Sequence, residues 1–280
     1  MKVCVLEKKD NTIRILIENA PLSLVNAIRR AAMAEVPVMA VDYVEVFENN
    51  TVLYDEIIAH RLAMIPLTSE RALEKYKRPE ECSESSVQDT SCYTLLRLEV
   101  ETQQGQEMMV YSKDLEASDP DVRPVHDDIP IALLASEQRL HLHAYARLGY
   151  GKEHAKWMPV TVAAHRYLPV VKYDLERASE ECRRCLMDTA PQLFEKMLSG
   201  RKGVLEIYDD INTSGIYWCA TKKCEGAVEV HYDESRIILK FEGTGALPIE
   251  RVVKEAAQAI SRKAEYIISQ LAKVGQSLGG

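Results

Sequence analysis

Apolar positions near the start of the chain fall into two short runs. Residues 2–7 and 12–18 read as strands; the second, Thr12-Ile13-Arg14-Ile15-Leu16-Ile17, is rich in the β-branched side chains that fit a pleated surface. Lys9-Asp10-Asn11 is the turn between them. From Pro21, whose fixed φ suits a first helical position, the period changes. Leu24, Val25, Ile28, Ala31, Ala32 and Val36 recur at spacings of one, three and four, giving a helix with one apolar face that ends at Pro37. A strand is predicted from Val38 to about Phe47, and a short helix over 54–65 that Pro66 stops. Residues 68–91, including Ser83-Glu84-Ser85-Ser86, turn polar and read as a loop.

Strands resume at 93–101, 107–111, 129–134 and 139–148, with turns at Ser118-Asp119-Pro120-Asp121 and Asp127-Asp128. Gly149 and Gly151 break the pattern before a charged loop, Lys152-Glu153-His154-Ala155-Lys156-Trp157. From about Tyr173 a helical, cysteine-containing stretch leads to a strand at 203–208 and a second cysteine-containing loop. Alternation over 226–242 predicts a hairpin around Asp233-Glu234. A last helix runs from Pro248 to about Leu271, with Ile249, Val252, Val253, Ala256, Ile260, Ile267, Ile268 and Leu271 as its stripe. At 1.5 Å per residue it is ~40 Å long, more than a small two-layer domain needs to cover itself. The surplus stripe therefore calls for another chain, and an isolated monomer is expected to behave poorly.

Composition narrows the function. With 46% hydrophobic and 28% charged residues the chain is globular, and 280 residues suit two or three domains. No run approaches the ~20 apolar residues of a membrane span, and the start turns charged too early for a signal-peptide core, so a cytoplasmic protein is expected. A net charge of −8 argues against gripping phosphate backbones as a primary role. No nucleophile motif, phosphate loop or paired-carboxylate arrangement stands out, and Gly149-Tyr150-Gly151 lacks the third glycine of a dinucleotide fingerprint. No catalytic residue is assigned. Seven cysteines, at 4, 82, 92, 182, 185, 219 and 224, suggest metal sites or their remnants more than a disulfide framework, although disulfides inside hyperthermophilic cells keep the second reading open.

Three ordered blocks then carry a resemblance. Asn26-Ala27-Ile28-Arg29-Arg30, Ala34-Glu35-Val36-Pro37-Val38-Met39-Ala40, Asn49-Asn50-Thr51 and the run from Asp55 to Leu67 (DEIIAHRLAMIPL) form the first. The run from Ala146 to Trp157 (ARLGYGKEHAKW) is the second, and Phe241-Glu242-Gly243-Thr244-Gly245-Ala246-Leu247-Pro248 the third. Together they resemble the RNA polymerase D/alpha-like family, which includes the archaeal D-type chains, the eukaryotic third-largest subunits and bacterial alpha.

The resemblance implies an α+β fold with a discontinuous dimerisation domain (1–37 and 226–280), an inserted strand-rich domain (38–172) and a degenerate ferredoxin-like domain (173–225). It implies a scaffold subunit that pairs with a small alpha-like (L-like) partner and gathers the large catalytic subunits and small N- and P-like ones. Leu24, Val25, Ile28, Ala31 and Ala32, with Val252, Val253, Ala256, Ile260, Ile267 and Leu271, would pack across the heterodimer. Arg29 and Arg30 beside them could hold a carboxylate in a two-pronged grip. Asp55, Glu56, His60 and Arg61 read as polar contacts to a large subunit, and Lys152, His154, Lys156 and Trp157 as a docking loop.

The metal sites depart from the family pattern. Of a four-cysteine zinc cluster only Cys82 and Cys92 remain, and zinc needs four ligands. Cys182-Arg183-Arg184-Cys185 opens like a cluster-binding ferredoxin run, but Asp188 stands at the third position, and Cys219 and Cys224 complete no second half. No cofactor is expected; the four thiols could converge on one zinc or pair as disulfides, with Leu186, Leu193, Phe194, Val204 and Ile207 as the apolar core. Two other readings compete with the scaffold: a redox carrier built on Cys182 and Cys185, which would be coloured, and a free-standing nucleic-acid binder using residues 152–157, which would bind with strong salt dependence.

Overall fold

The computed structural model of the chain describes residues 1–82, 85–211 and 213–278, the last five as backbone only, so Ser83 and Glu84 of the polar stretch lie outside the described residues. In chain order the strands are β1 (Lys2–Lys9), β2 (Thr12–Glu18), β3 (Val38–Asn49), β4 (Tyr93–Glu101), β5 (Met108–Tyr111), β6 (Glu116–Ala117), β7 (Pro130–Leu134), β8 (Arg139–Gly149), β9 (Val160–Asp174), β10 (Lys202–Glu206) and β11 (Val228–Gly243). The helices are α1 (Leu22–Ala34), α2 (Asp55–Ala63), α3 (Ala72–Lys75), α4 (Glu180–Thr189), α5 (Pro191–Gly200), α6 (Ser214–Lys222) and α7 (Ile249–Leu278). The fold is α+β. It divides into two compact units, one gathering Met1–Lys8, Arg14–Val25 and Ala164–Lys240, the other Lys9–Ile13, Asn26–Ala163 and the chain from Phe241.

A sheet of order β1-β2-β11-β9-β10 supplies most of the first unit. Interior strand β2 buries Ile13, Arg14, Ile15, Leu16 and Ile17 in succession, whereas edge strand β1 is almost wholly exposed. The predicted hairpin at Asp233-Glu234 does not form, and β11 runs straight through it. Neither residue is a glycine or takes the positive φ that a tight hairpin turn needs. Instead Asp233 accepts from the backbone N–H of Ser235 and from Arg236 Nε, and the Ser235 carbonyl accepts from the Asn19 N–H. Strand β9 is hidden in the sequence by Pro169, which removes a ladder donor and reads as a break.

The cysteine-bearing segment of this unit is helical. Ser179 caps α4 by accepting from the Cys182 N–H at 3.1 Å, and Pro191 opens α5. The second cysteine region, expected as a loop, is α6. Leu186, Leu193, Phe194, Met197, Ile207 and Ile216 build one buried cluster, but Val204 is 57% exposed on edge strand β10 and does not belong to it. The reading of the thiols as metal-site remnants is corrected: disulfides join Cys182 to Cys224, Cys185 to Cys219, and Cys82 to Cys92. Spacing of three places Cys182 and Cys185 on the same face of α4, with partner Cα atoms 4.7 and 5.9 Å away, inside disulfide reach. Paired in this way, the four sulfurs leave no thiolate to hold zinc or an iron–sulfur cluster, so their chemistry does not fit either group.

The second unit is organised around an antiparallel sheet of order β3-β8-β4-β6. Along β8 the period of two is strict. Leu140, Leu142, Ala144, Ala146 and Leu148 are buried, while Arg139, His141, His143, Tyr145 and Arg147 lie on the other face. The polar stretch 68–91 is not bare loop, since it holds α3 and a short 3₁₀ turn at Pro79–Glu81. At 30 residues α7 is about 45 Å long.

Candidate functional site

Helices α1 and α7 meet in the second unit along a groove of about 360 Å³. Ala27, Arg30, Ala31 and Ala34 form one wall, Ala259, Ile260 and Lys263 the other, and an ion pair between Lys263 and Glu35 joins them. Small side chains leave this groove open because alanine contributes a helix former with almost no bulk. The two helices carry very different surfaces. Val25, Ala32, Val252 and Ala256 have no exposure in the single chain, and Ala31 is nearly as closed. The expectation that these five pack across a heterodimer is therefore corrected: they are core, already covered by their own chain. Leu24, Ile28, Val253 and Ile260 are half-buried. Past Lys263 the picture reverses, and Tyr266, Ile267, Ile268 and Leu271 all stand exposed. Tyr266 escapes a reading of the sequence because its hydroxyl counts as polar, although its ring continues the stripe.

Arg29 does not await a carboxylate. Its Nε donates to Asn26 Oδ1 at 3.0 Å and its Nη1 to the Ala163 carbonyl at 3.3 Å, which fixes α1 to the start of β9. Arg30, one residue on, is exposed on the groove wall.

In α2, Asp55 and Glu56 occupy the first turn and His60 and Arg61 the last, the order that the helix dipole favours. Ile58 and Leu62 anchor the helix, leaving Asp55, Glu56, Ile57, His60 and Arg61 exposed. Asp55 accepts from Asn49 Nδ2 at 2.7 Å, and Arg61 donates to the Ile131 carbonyl at 2.8 Å, so both are positioned by neighbouring strands.

The loop at 149–157 proves to be an internal brace. Trp157 is only 3% exposed, which corrects its reading as an exposed docking residue. A Cβ at Gly149 would fall inside its indole, so only glycine lets the ring lie on the strand. The ring Nε1 donates to the Arg147 carbonyl, and the cations of Arg147 and Lys156 sit 4.5 and 4.2 Å from the ring centroid. Both cations also reach Asp42 at 2.7 Å. Burial works against the charge on Asp42, but Lys156 and Arg147 more than offset it and hold its carboxyl below the usual range. Lys152 and His154 remain exposed, with Lys152 over the Tyr150 ring and its N–H on the Ala34 carbonyl. Gly151 packs so closely on the Met33 carbonyl that a side chain there would clash.

Among the described residues no group of three or more His, Cys, Asp or Glu is placed to hold a metal, and no helix is long and apolar enough to cross a membrane.

Residues 44–170 match the family model described as the RNA polymerase Rpb3/RpoA insert domain. Over 273 residues the chain is 42% identical to DNA-directed RNA polymerase subunit Rpo3 of Aeropyrum pernix, covering 97% of this chain and 95% of the relative. It is 37% identical over 264 residues to the Rpo3 of Archaeoglobus fulgidus (93% and 94%), and 36% identical over 283 residues to that of Pyrococcus furiosus (98% and 98%). With an insert domain at 44–170 and identities of this size along almost its entire length, the chain belongs to the DNA-directed RNA polymerase subunit Rpo3 family.

Proposed function

We propose that the chain is a non-catalytic assembly subunit of a DNA-dependent RNA polymerase, the D/alpha-like member, working in the cytoplasm. Its two ends (1–37 and 226–280) form the dimerisation domain, 38–172 the inserted domain and 173–225 a ferredoxin-like domain held by disulfides in place of a cluster. Its first partner is a small alpha-like, L-like subunit; large catalytic subunits and N- and P-like small subunits join the resulting pair.

The observation that carries this reading is the exposed second half of α7 beside the α1/α7 groove. Four large apolar side chains within two turns of one helix are costly to leave in water, and a partner chain packed against them would bury them. Arg30, Lys263 and Glu35 along the groove supply the polar rim of such an interface. Asp55, Glu56, His60 and Arg61 on α2 and the exposed Lys152 and His154 are assigned to contacts with the larger subunits.

Co-expression with a small alpha-like subunit tests the reading. A stable one-to-one complex is expected, whereas a chain that stays monodisperse and ignores that partner at micromolar concentration overturns it.

A further inference from the structure

The outer face of the four-stranded sheet in the second unit is unusual for a surface meeting water. Register places Tyr43 opposite Tyr145, Glu45 opposite His143 and Glu48 opposite His141 on β3 and β8, with Leu95, Arg97 and Glu99 of β4 aligned on the far side of β8. The rings make a continuous ladder. Phe47 lies 4.8 Å from His141 and 4.7 Å from His143, His143 lies 6.5 Å from Tyr145, and Tyr145 lies 5.9 Å from Tyr43. Tyr43 and Phe47 are 49% and 50% exposed. The solvent face of an antiparallel sheet ordinarily carries polar side chains, so a row of aromatic rings there marks a surface of contact.

The charges around the ladder say what it would meet. Glu45, Glu48, Glu99 and Glu101 stand against Arg97 and Arg139, four carboxylates to two guanidinium groups, a surplus of two negative charges. Arg139 already engages Glu48 at 3.0 Å and Glu99 at 2.9 Å, and approaches Glu101 at 3.9 Å. Burial, with the Glu45 carboxylate close by, pushes the Tyr145 phenol up, so it stays protonated beside the rings. Burial, with Arg97 and His141 nearby, pushes the His143 imidazole down, so this rung is neutral at neutral pH.

We propose that this face docks an arginine-bearing segment of another protein. Guanidinium groups stack flat on aromatic rings and fork onto carboxylates, and Glu45 in the middle of the ring ladder offers both partners at one place. Lysine, a compact point charge, would use the carboxylate and lose much of the stacking. A nucleic-acid strand could stack its bases on the same rings, but its phosphates would face the acidic surplus. The assignment stands on the sheet face alone and does not depend on the polymerase reading.

The test uses the full-length chain and a fluorescent nonapeptide with three arginines spaced two residues apart, its lysine counterpart and a twelve-residue oligothymidylate. Saturable binding of the arginine peptide is expected, with the lysine peptide weaker by about fivefold. Tyr43→Ser with Phe47→Ser should weaken arginine-peptide binding at least about tenfold while the chain stays folded, its melting temperature falling by about 4–8 °C as the buried halves of the two rings are lost. Glu45→Gln, which leaves the ladder whole, should weaken it about threefold. Equal affinity for the two peptides, indifference to these substitutions, or tighter binding of the oligonucleotide would overturn the assignment.

Discussion

Ile267→Ala combined with Leu271→Ala separates an interface from a core on one helix. The two side chains lie one turn apart on α7 and are 58% and 65% exposed in the lone chain. Fully burying such a side chain contributes about 1.5–3 kcal/mol, so closing the remaining 60% or so contributes roughly 1 kcal/mol each once the Cβ that alanine keeps is allowed for. The pair should therefore weaken association with a small alpha-like subunit by about 2 kcal/mol, or about 30-fold in Kd. Titration calorimetry of the purified chain against that partner reads this directly. Urea unfolding of the lone chain supplies the control, because the removed atoms face water in that state and stability should change by less than about 0.5 kcal/mol. Ile249→Ala, at the sealed start of the same helix, should give the opposite signature: about 2–5 kcal/mol lost from the lone chain. Were the double variant to bind within twofold of the parent, or to destabilise the lone chain by more than about 1 kcal/mol, the division of α7 into a core half and a contact half would be wrong.

Other substitutions probe other levels of the structure. Cys185→Ser with Cys219→Ser opens a disulfide loop of sequence separation 34, worth about 4 kcal/mol by chain entropy, and calorimetry should show an earlier transition for the cysteine-bearing segment. Trp157→Ala should lower stability by about 3–5 kcal/mol, visible as a large fall in the urea midpoint; a variant that kept full stability and lost only partner binding would restore the docking-loop reading. Asp42 has a folded pKa below its unfolded value near 3.9, so its contribution is complete above that value and disappears as pH falls through the lowered one. Asp42→Asn should accordingly reduce stability at pH 7 and flatten the loss between pH 5 and pH 3, measured as urea midpoints across that range.

The elements most legible in the sequence are those whose pattern has a single physical cause. Strict alternation along β8 and the helical spacing of Leu24, Val25 and Ile28 each describe one face buried against one neighbour. Where two causes overlap, the pattern misleads. Pro169 inside β9 and Asp233-Glu234 inside β11 carry turn chemistry, yet long-range pairing in the sheet outweighs it. The α1 face illustrates a different limit. Periodicity shows that Val25, Ala31 and Ala32 need covering but not whether their own chain or another covers them, and here it is their own. Trp157 is misleading for the same reason, since nothing in the string ARLGYGKEHAKW reveals that Gly149 vacates the space its indole fills. The cysteines, whose spacing resembles a metal motif, are ambiguous because cluster binding and disulfide pairing both need sulfurs brought together on facing elements.

This division between sealed and open surface bears on how an assembly subunit works. If both apolar ridges had been open, folding would be inseparable from partner binding, and the chain would be a passive half of an obligate pair. Instead Val25, Ala31 and Ala32 of α1 and Val252 and Ala256 of α7 are already buried in the single chain, and the brace formed by Gly149, Gly151 and Trp157 is satisfied internally, down to the two cations that share Asp42. On these two helices the open apolar stretch is the one carrying Tyr266, Ile267, Ile268 and Leu271 of α7. The chain can then reach its fold before it meets a partner, and the partner recognises a surface that already exists. Association of this kind is tuned by a handful of side chains on α7 without disturbing the core, which makes the stability and the affinity of this chain separable by mutation.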